Sequence, residues 1–331
     1  MMQAAALAEI WRGDFLESEH LGHAVICGPD GNVIDGWGDP DRVILPRSSV
    51  KMIQALPLIE SGAADAADLG VEHLALSCAS HQGQAVHTDL VDAWLHNIGR
   101  GEDDLICGPQ APRISADRRA MIRAGENPCR VHNNCSGKHT GFLTLARHLG
   151  AGPDYVAADH PVQLAVREAF EDVTDQTSPG FGIDGCSAPN FAATLHGVGR
   201  AMAFFANAQD SSGRGRAARR LVEAMMTRPD LVAGQDRACT ELMLAAPGRL
   251  AVKTGAEGVF VAILPDQGIG IALKAADGAT RASECAIAAL LVRLGVLPAD
   301  HPAVQRRMNP PIKNWDGLEV GAIRPAPGLL A

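Results

Sequence analysis

Ser48-x-x-Lys51 sets a hydroxyl and an amine three residues apart just after Pro46. The apolar spacing Val50, Ile53, Leu56 and Ile59 predicts a helix there, so both side chains project from one turn and can touch. A serine hydroxyl is a weak nucleophile until a base takes its proton. A lysine serves as that base only in its neutral form, which burial or a second cation favours. Alone, S-x-x-K is a frequent chance pattern whose plain reading is a helix cap beside a solvated lysine. Lys253-Thr254-Gly255, in a β-rich run late in the chain, supplies the second cation, and Ser80 in Ser77-Cys78-Ala79-Ser80-His81 supplies a second hydroxyl.

A second cluster contains Cys135-x-x-Lys138 and Cys186. Residue chemistry alone selects His132, Cys135, His139 and Cys186 as zinc donors, because thiolates and imidazoles are the usual ligands. The competing reading is two buried free thiols in glycine-rich turns. The eight cysteines form no C-x-x-C pair and no dense framework, so reduced thiols are expected.

The elements that must carry these residues can be read in outline. Residues 24–35 read as two short strands around Pro29-Asp30-Gly31. The helix after Pro46 is capped by Ser48 or Ser49 and kinked or tightened by Pro57. Further helices are expected over 85–98, 139–149, 160–172, 190–208 and 216–227, with 208–216 as a flexible connection. Residues 249–280 contain three β-rich runs split by Gly and by Pro265-Asp266-Gln267-Gly268, and a final helix follows over 280–295. Strands at both ends with helices between them predict a single α/β domain over 1–331. The terminal strands would share one antiparallel sheet, with a helical region over about 85–227.

Composition narrows the function. The chain has 331 residues, 47% hydrophobic and 20% charged, and a net charge of −9 with no basic run. A packed core is within reach, and nucleic-acid binding is disfavoured. Apolar stretches break before the ~20 residues a bilayer requires, so no membrane association is expected. The first residues lack a basic n-region and Glu9 interrupts their apolar run, which points to the cytoplasm.

S-x-x-K early and K-T-G late is the order found in serine β-lactamases and penicillin-binding proteins. Their S-x-N element is missing here. RSSVKMIQALPLI (47–59), LSCASHQG (76–83), HNNCSGKHTGFL (132–143), GIDGCSAPNFA (182–192), GQDR (234–237) and KTGAEG (253–258) are more specific. In these stretches the chain resembles the rhizobial-type L-asparaginases, whose fold is similar to that of the serine β-lactamases. The resemblance implies two Ser–Lys pairs, Ser48 with Lys51 and Ser80 with Lys253, Ser48 being the nucleophile that attacks the side-chain amide of L-asparagine. It implies zinc held by Cys135, Lys138 and Cys186, and a homodimer. An asparagine substrate carries an α-ammonium and an α-carboxylate, for which Asp184 and Arg47 are candidates, with His81 as a further polar contact. The alternatives are a β-lactamase-like serine hydrolase acting on another substrate, and a non-catalytic zinc-dependent binding protein on the same scaffold.

Overall fold

A computed structural model of the chain describes residues 3–209 and 212–330. It divides into two compact units. The first comprises Met1–Ser49, Ala193–Asn207 and Glu241–Ala331, and the second Val50–Ala192 and Ala208–Thr240.

The first unit is built on one sheet: β1 (Ala5–Arg12), β2 (Phe15–Cys27), β3 (Val33–Trp37), β4 (Ala251–Thr254), β5 (Val259–Leu264), β6 (Ile269–Ala275), β7 (Pro311–Lys313) and β8 (Glu319–Pro325). Their spatial order is β7-β8-β1-β2-β6-β5-β4, and all pairings are antiparallel. Along one side of β2, β1 pairs with Phe15–Gly22 and β3 takes over from Ala24 to Cys27. N- and C-terminal strands therefore share one antiparallel sheet, as the sequence predicts. Every residue of β5 is buried, which is the pattern of a strand covered on both faces. Gly270 and Ala272 face the helix Leu195–Ala206, whereas Ala275 packs with Ala282 and Cys285 of the helix Thr280–Arg293. Alternation along β6 sends these residues to opposite faces, so the sheet lies between two helices. The first of these contacts is backbone on backbone. A Cβ on Gly270 would collide with the Ala203 nitrogen and the Gly199 carbonyl oxygen, and one on Gly199 would lie 2.8 Å from Cys27 Sγ.

The second unit is helical, with Lys51–Gln54, Leu56–Glu60, Val71–Ser77, Ala85–Asn97, Ser115–Ala124, Ser136–His148, Pro161–Thr174 and Gly213–Thr227 as its main helices. A Cβ on Gly137 would lie 2.5 Å from the Leu76 carbonyl oxygen, so glycine lets Ser136–His148 press against Val71–Ser77. Trp94 is fully buried and donates to Thr144 Oγ1 at 3.1 Å.

Several expectations need correction. The helix expected after Pro46 is a 3-10 turn over Arg47–Val50 followed by two short helices. The break falls at Ala55, where Pro57 cannot continue the preceding hydrogen-bond ladder. Neither serine caps it: Val50 is the N-cap, and Ser49 Oγ donates to the Pro46 carbonyl at 2.7 Å. Residues expected to begin a helix at 190 instead form short antiparallel pairs, Pro189–Phe191 with Phe181–Ile183 and Ala193–Thr194 with Val43–Ile44. That helix starts only where Thr194 Oγ1 accepts from the Gly197 N–H. The connection expected over 208–216 is already helical from Gly213, capped by Ser212, while Asp210 and Ser211 lie outside the described residues. The helix over Thr280–Arg293 is not the last element, because Pro302–Met308, β7 and β8 follow it.

The backbone contact on β6 makes a stability prediction. Gly270→Ala should cost about 2 kcal/mol or more by overpacking, lowering the thermal midpoint by roughly 4–8 °C. Gly152, where a Cβ meets nothing within 4 Å, should tolerate alanine without loss. Equal midpoints for the two variants would refute the close-packing account.

Candidate functional site

The predicted residues fall in both units. Arg47, Ser48 and Lys253 belong to the first, and Lys51, Ser80, His81, Cys135, Lys138, Asp184 and Cys186 to the second. The chain passes from one unit to the other between Ser49 and Val50.

In the first unit, the turn bearing Ser48 starts at Arg47, whose φ of 55° is left-handed and rare for a side chain of this size. Ser48 is partly exposed. Lys253 is 1% exposed on β4 and donates to the Thr254 carbonyl at 2.8 Å. Just beyond it, a Cβ on Gly255 would lie 2.7 Å from the Pro46 carbonyl oxygen and 3.2 Å from the Ser49 nitrogen. Glycine at this position therefore lets the end of β4 lie against the turn that carries Ser48, so the two halves of the S-x-x-K and K-T-G pattern meet here through their backbones. The Gly255 N–H itself is committed to the Val259 carbonyl at 2.8 Å.

In the second unit, Lys51 is 1% exposed, and three acceptors surround its amine: the Ala79 carbonyl, the Asn134 carbonyl at 3.3 Å and Cys135 Sγ at 3.1 Å. Through Ala79 it adjoins Ser80, which is buried and whose N–H is held by the Val232 carbonyl at 2.9 Å. Lys138 is 3% exposed and donates to Cys186 Sγ at 3.2 Å. Cys186 sits in a tight turn between Phe181–Ile183 and Pro189–Phe191. The turn is closed by Asp184 N–H to the Ala188 carbonyl and by Ser187 N–H to the Asp184 carbonyl, both at 2.9 Å.

The two thiols divide one charge between them. The hydrogen bond with Cys186, together with burial, pushes the Cys135 thiol up to about 12. The same bond, received from Cys135, draws the Cys186 thiol well below its ordinary value against the opposing effect of burial, with help from the Lys138 and Lys51 amines. Burial pulls Lys138 down, but the sulfurs of Cys186 and Cys135 outweigh it and leave the amine raised. A thiolate, a thiol and an ammonium are thus buried together, and loss of the thiol and ammonium protons would turn them into a soft donor set that suits zinc. The donor set selected by residue chemistry alone does not assemble. Among the described residues no three His, Cys, Asp or Glu side chains are grouped to hold a metal. His132 instead bonds Cys129 Sγ at 3.0 Å, and His139 bonds the Tyr155 hydroxyl at 2.9 Å.

His81 is fully buried, with Nδ1 accepting from the Gly83 N–H at 3.1 Å and Nε2 bonded to Ser136 Oγ at 2.9 Å. Burial, then the neighbouring His87 and Lys51, hold it neutral. Its ring stacks on that of His87 with centroids 4.7 Å apart, a partner that sequence reading passed over. Gly137, which precedes Lys138, was also passed over, and Gly255 was read only as the end of the K-T-G motif. Their signal is a glycine where a helix start or a strand end favours a side chain.

The profile of the L-asparaginase II family matches residues 8–325. No curated protein matches the chain significantly. Among solved structures, Mglu in its native form is 13% identical with a TM-score of 0.49, over 85% of this chain and 66% of its own length. A putative beta-lactamase from Bacteroides dorei is 12% identical with a TM-score of 0.44, over 77% and 84% of the two chains. A beta-lactamase from Mycobacterium bovis is 14% identical with a TM-score of 0.37, over 83% and 95%.

The shared proton is testable by ultraviolet thiolate absorbance on chelator-treated protein. At neutral pH about one thiolate per chain is expected, because only one thiol of the pair is drawn down. Cys186→Ser should abolish it and Lys138→Met should diminish it. Cys285→Ser should leave it unchanged, since burial pushes that thiol up to about 12. Undiminished absorbance in Cys186→Ser would refute the assignment.

Proposed function

The chain belongs to the L-asparaginase II family, and from that premise we propose that it hydrolyses L-asparagine to aspartate and ammonia through an acyl-enzyme on Ser48. The observation that carries this reading is the span of the family match, residues 8–325, which includes every candidate catalytic and metal-binding residue. Support also comes from the burial of Lys51, Lys138 and Lys253, which keeps each amine against fixed acceptors and away from water.

In this mechanism neutral Lys51 takes the Ser48 proton as Oγ adds to the carboxamide carbon. The oxyanion is met by the Ser48 N–H and by one from the run following Lys253. The proton then passes to the leaving nitrogen, the C–N bond breaks, and ammonia departs. Water attacks the resulting ester with Lys51 again accepting a proton, and aspartate leaves as Ser48 recovers its hydrogen. Ser80 and Lys253 form the second pair, Lys253 supplying the positive potential that favours a neutral Lys51. Asp184 holds the α-ammonium of the substrate and Arg47 its α-carboxylate. His81, buried and doubly bonded, positions the segment that follows Ser80.

Cys135, Lys138 and Cys186 would hold zinc, which when bound supplies positive charge that orients the substrate. We place the enzyme in the cytoplasm, in keeping with its composition, and infer a homodimer from the family resemblance.

Ser48→Ala should stay folded by circular dichroism yet lose at least about a thousandfold in kcat/KM for asparagine, measured by ammonia release. Lys51→Arg should be nearly inactive, because a guanidinium does not give up its proton. A tenth of wild-type turnover in either variant would sink the Ser–Lys mechanism.

Metal removal gives an independent test. Wild-type protein should carry about one zinc per chain, set by the single donor cluster. Chelation should raise KM for asparagine more than it lowers kcat, and Cys135→Ala should mimic it. Complete loss of turnover at saturating asparagine would instead make the metal the activator of water and remove Ser48 from the central role.

A further inference from the structure

A cavity of about 310 Å³ lies wholly within the first unit, lined in part by Arg42, Val43, Leu45, Arg47, Glu257 and Lys274. It has the character of a small-molecule site, an apolar wall with a few convergent polar groups. Val43 and Leu45 are 52% and 42% exposed, a cost the fold leaves standing on that wall. Lys274 spends two of its three N–H donors on the Glu257 and Ala275 carbonyls, both at 2.6 Å, and keeps one. Glu257 stands opposite in charge on the same rim. Arg47 and Glu257 have φ values of 55° and 58°, so two non-glycine residues of one cavity are held in the left-handed region. Such outliers persist where the surrounding structure enforces them, commonly at ligand sites.

We propose that this cavity binds a free α-amino acid as its zwitterion in addition to the substrate at Ser48, the guanidinium of Arg47 on its edge being left to that substrate. The α-carboxylate lies on Arg42 and the remaining Lys274 donor, the α-ammonium on Glu257, and the side chain along Val43 and Leu45. One cationic arm and one anionic arm on a single rim match a zwitterion better than a simple anion. The location gives the site a regulatory character. Arg47 immediately precedes Ser48. Glu257 lies two residues beyond Gly255, which abuts the same turn. An occupant therefore stiffens both segments that frame the nucleophile. That the natural occupants are asparagine and aspartate rests on the proposed function; the site itself does not.

Calorimetric titration of Ser48→Ala protein, which binds without turnover, tests the proposal with L-aspartate and succinate as probes. Two L-aspartate binding events per chain are expected. Adding Arg42→Ala should weaken one of them at least tenfold for both probes, whereas adding Glu257→Gln should weaken it tenfold for L-aspartate and leave succinate unchanged, because succinate has no ammonium. A single event or none overturns the proposal, as do two events that both ignore Arg42→Ala. Equal losses for the two probes in Glu257→Gln overturn the zwitterion assignment. Ammonia release by the wild-type chain is measured in parallel. Activity with a single binding event refutes the second site alone, and two events without activity refute the asparaginase reading alone.

Discussion

Three buried lysine amines set the terms for the rest of this structure. Lys51, Lys138 and Lys253 are each 3% exposed or less. An amine taken out of water costs several kcal/mol unless the protein replaces its lost hydration. The fold replaces it with named acceptors. In the second unit the carbonyls of Ala79 and Asn134 and the sulfur of Cys135 meet Lys51, and the sulfur of Cys186 meets Lys138. In the first unit the Thr254 carbonyl meets Lys253. Each acceptor lies at an element boundary, where backbone carbonyls and turn residues are not already consumed by a ladder.

The same requirement links the thiols to the amines. Cys135 Sγ accepts a hydrogen bond from Lys51, lies 2.9 Å from Asn134 Oδ1 and interacts with Cys186, whose sulfur accepts from Lys138. Amines and sulfurs therefore alternate along one hydrogen-bonded chain, so replacing a member leaves a buried neighbour without its partner. The two glycines that allow close backbone approach belong to this economy. Gly137 brings the start of the Ser136–His148 helix onto Leu76, and Gly255 brings the end of β4 onto the turn at Pro46. Side chains at either point would push apart the segments that hold the amines.

Much of this was legible in the sequence, for reasons that differ residue by residue. The S-x-x-K and K-T-G motifs stood out because hydroxyl and amine chemistry is read from residue type and short spacing. The three β-rich runs and most helices were legible because their periodicity is local. The pairing of β1 with β8 was not, since Ala8 meets Pro325 and no local pattern reports a partner so distant. The break at Ala55 was anticipated through Pro57, but the 3-10 turn before it was not, because Arg47 adopts a backbone conformation its type disfavours. Residue chemistry alone also chose imidazoles for the metal cluster. It passes over lysine because that side chain is ordinarily charged, and here too the sulfurs of Cys186 and Cys135 hold Lys138 toward its charged form.

The order in which the two units recur along the chain has a consequence for synthesis. The second unit is complete once residue 240 has emerged, whereas the first waits for β4 to β8, with β8 ending at Pro325. Until then β1 and β2 expose unpaired strand edges on a nascent chain, the circumstance in which strands recruit wrong partners. The thiol–amine half of the molecule can pack on the ribosome while the half that presents Ser48 and Lys253 is still an open sheet. A ribosome-bound chain thus holds Cys135 and Cys186 sheltered before it holds a finished nucleophile, and the longest vulnerable interval belongs to the N-terminal hairpin.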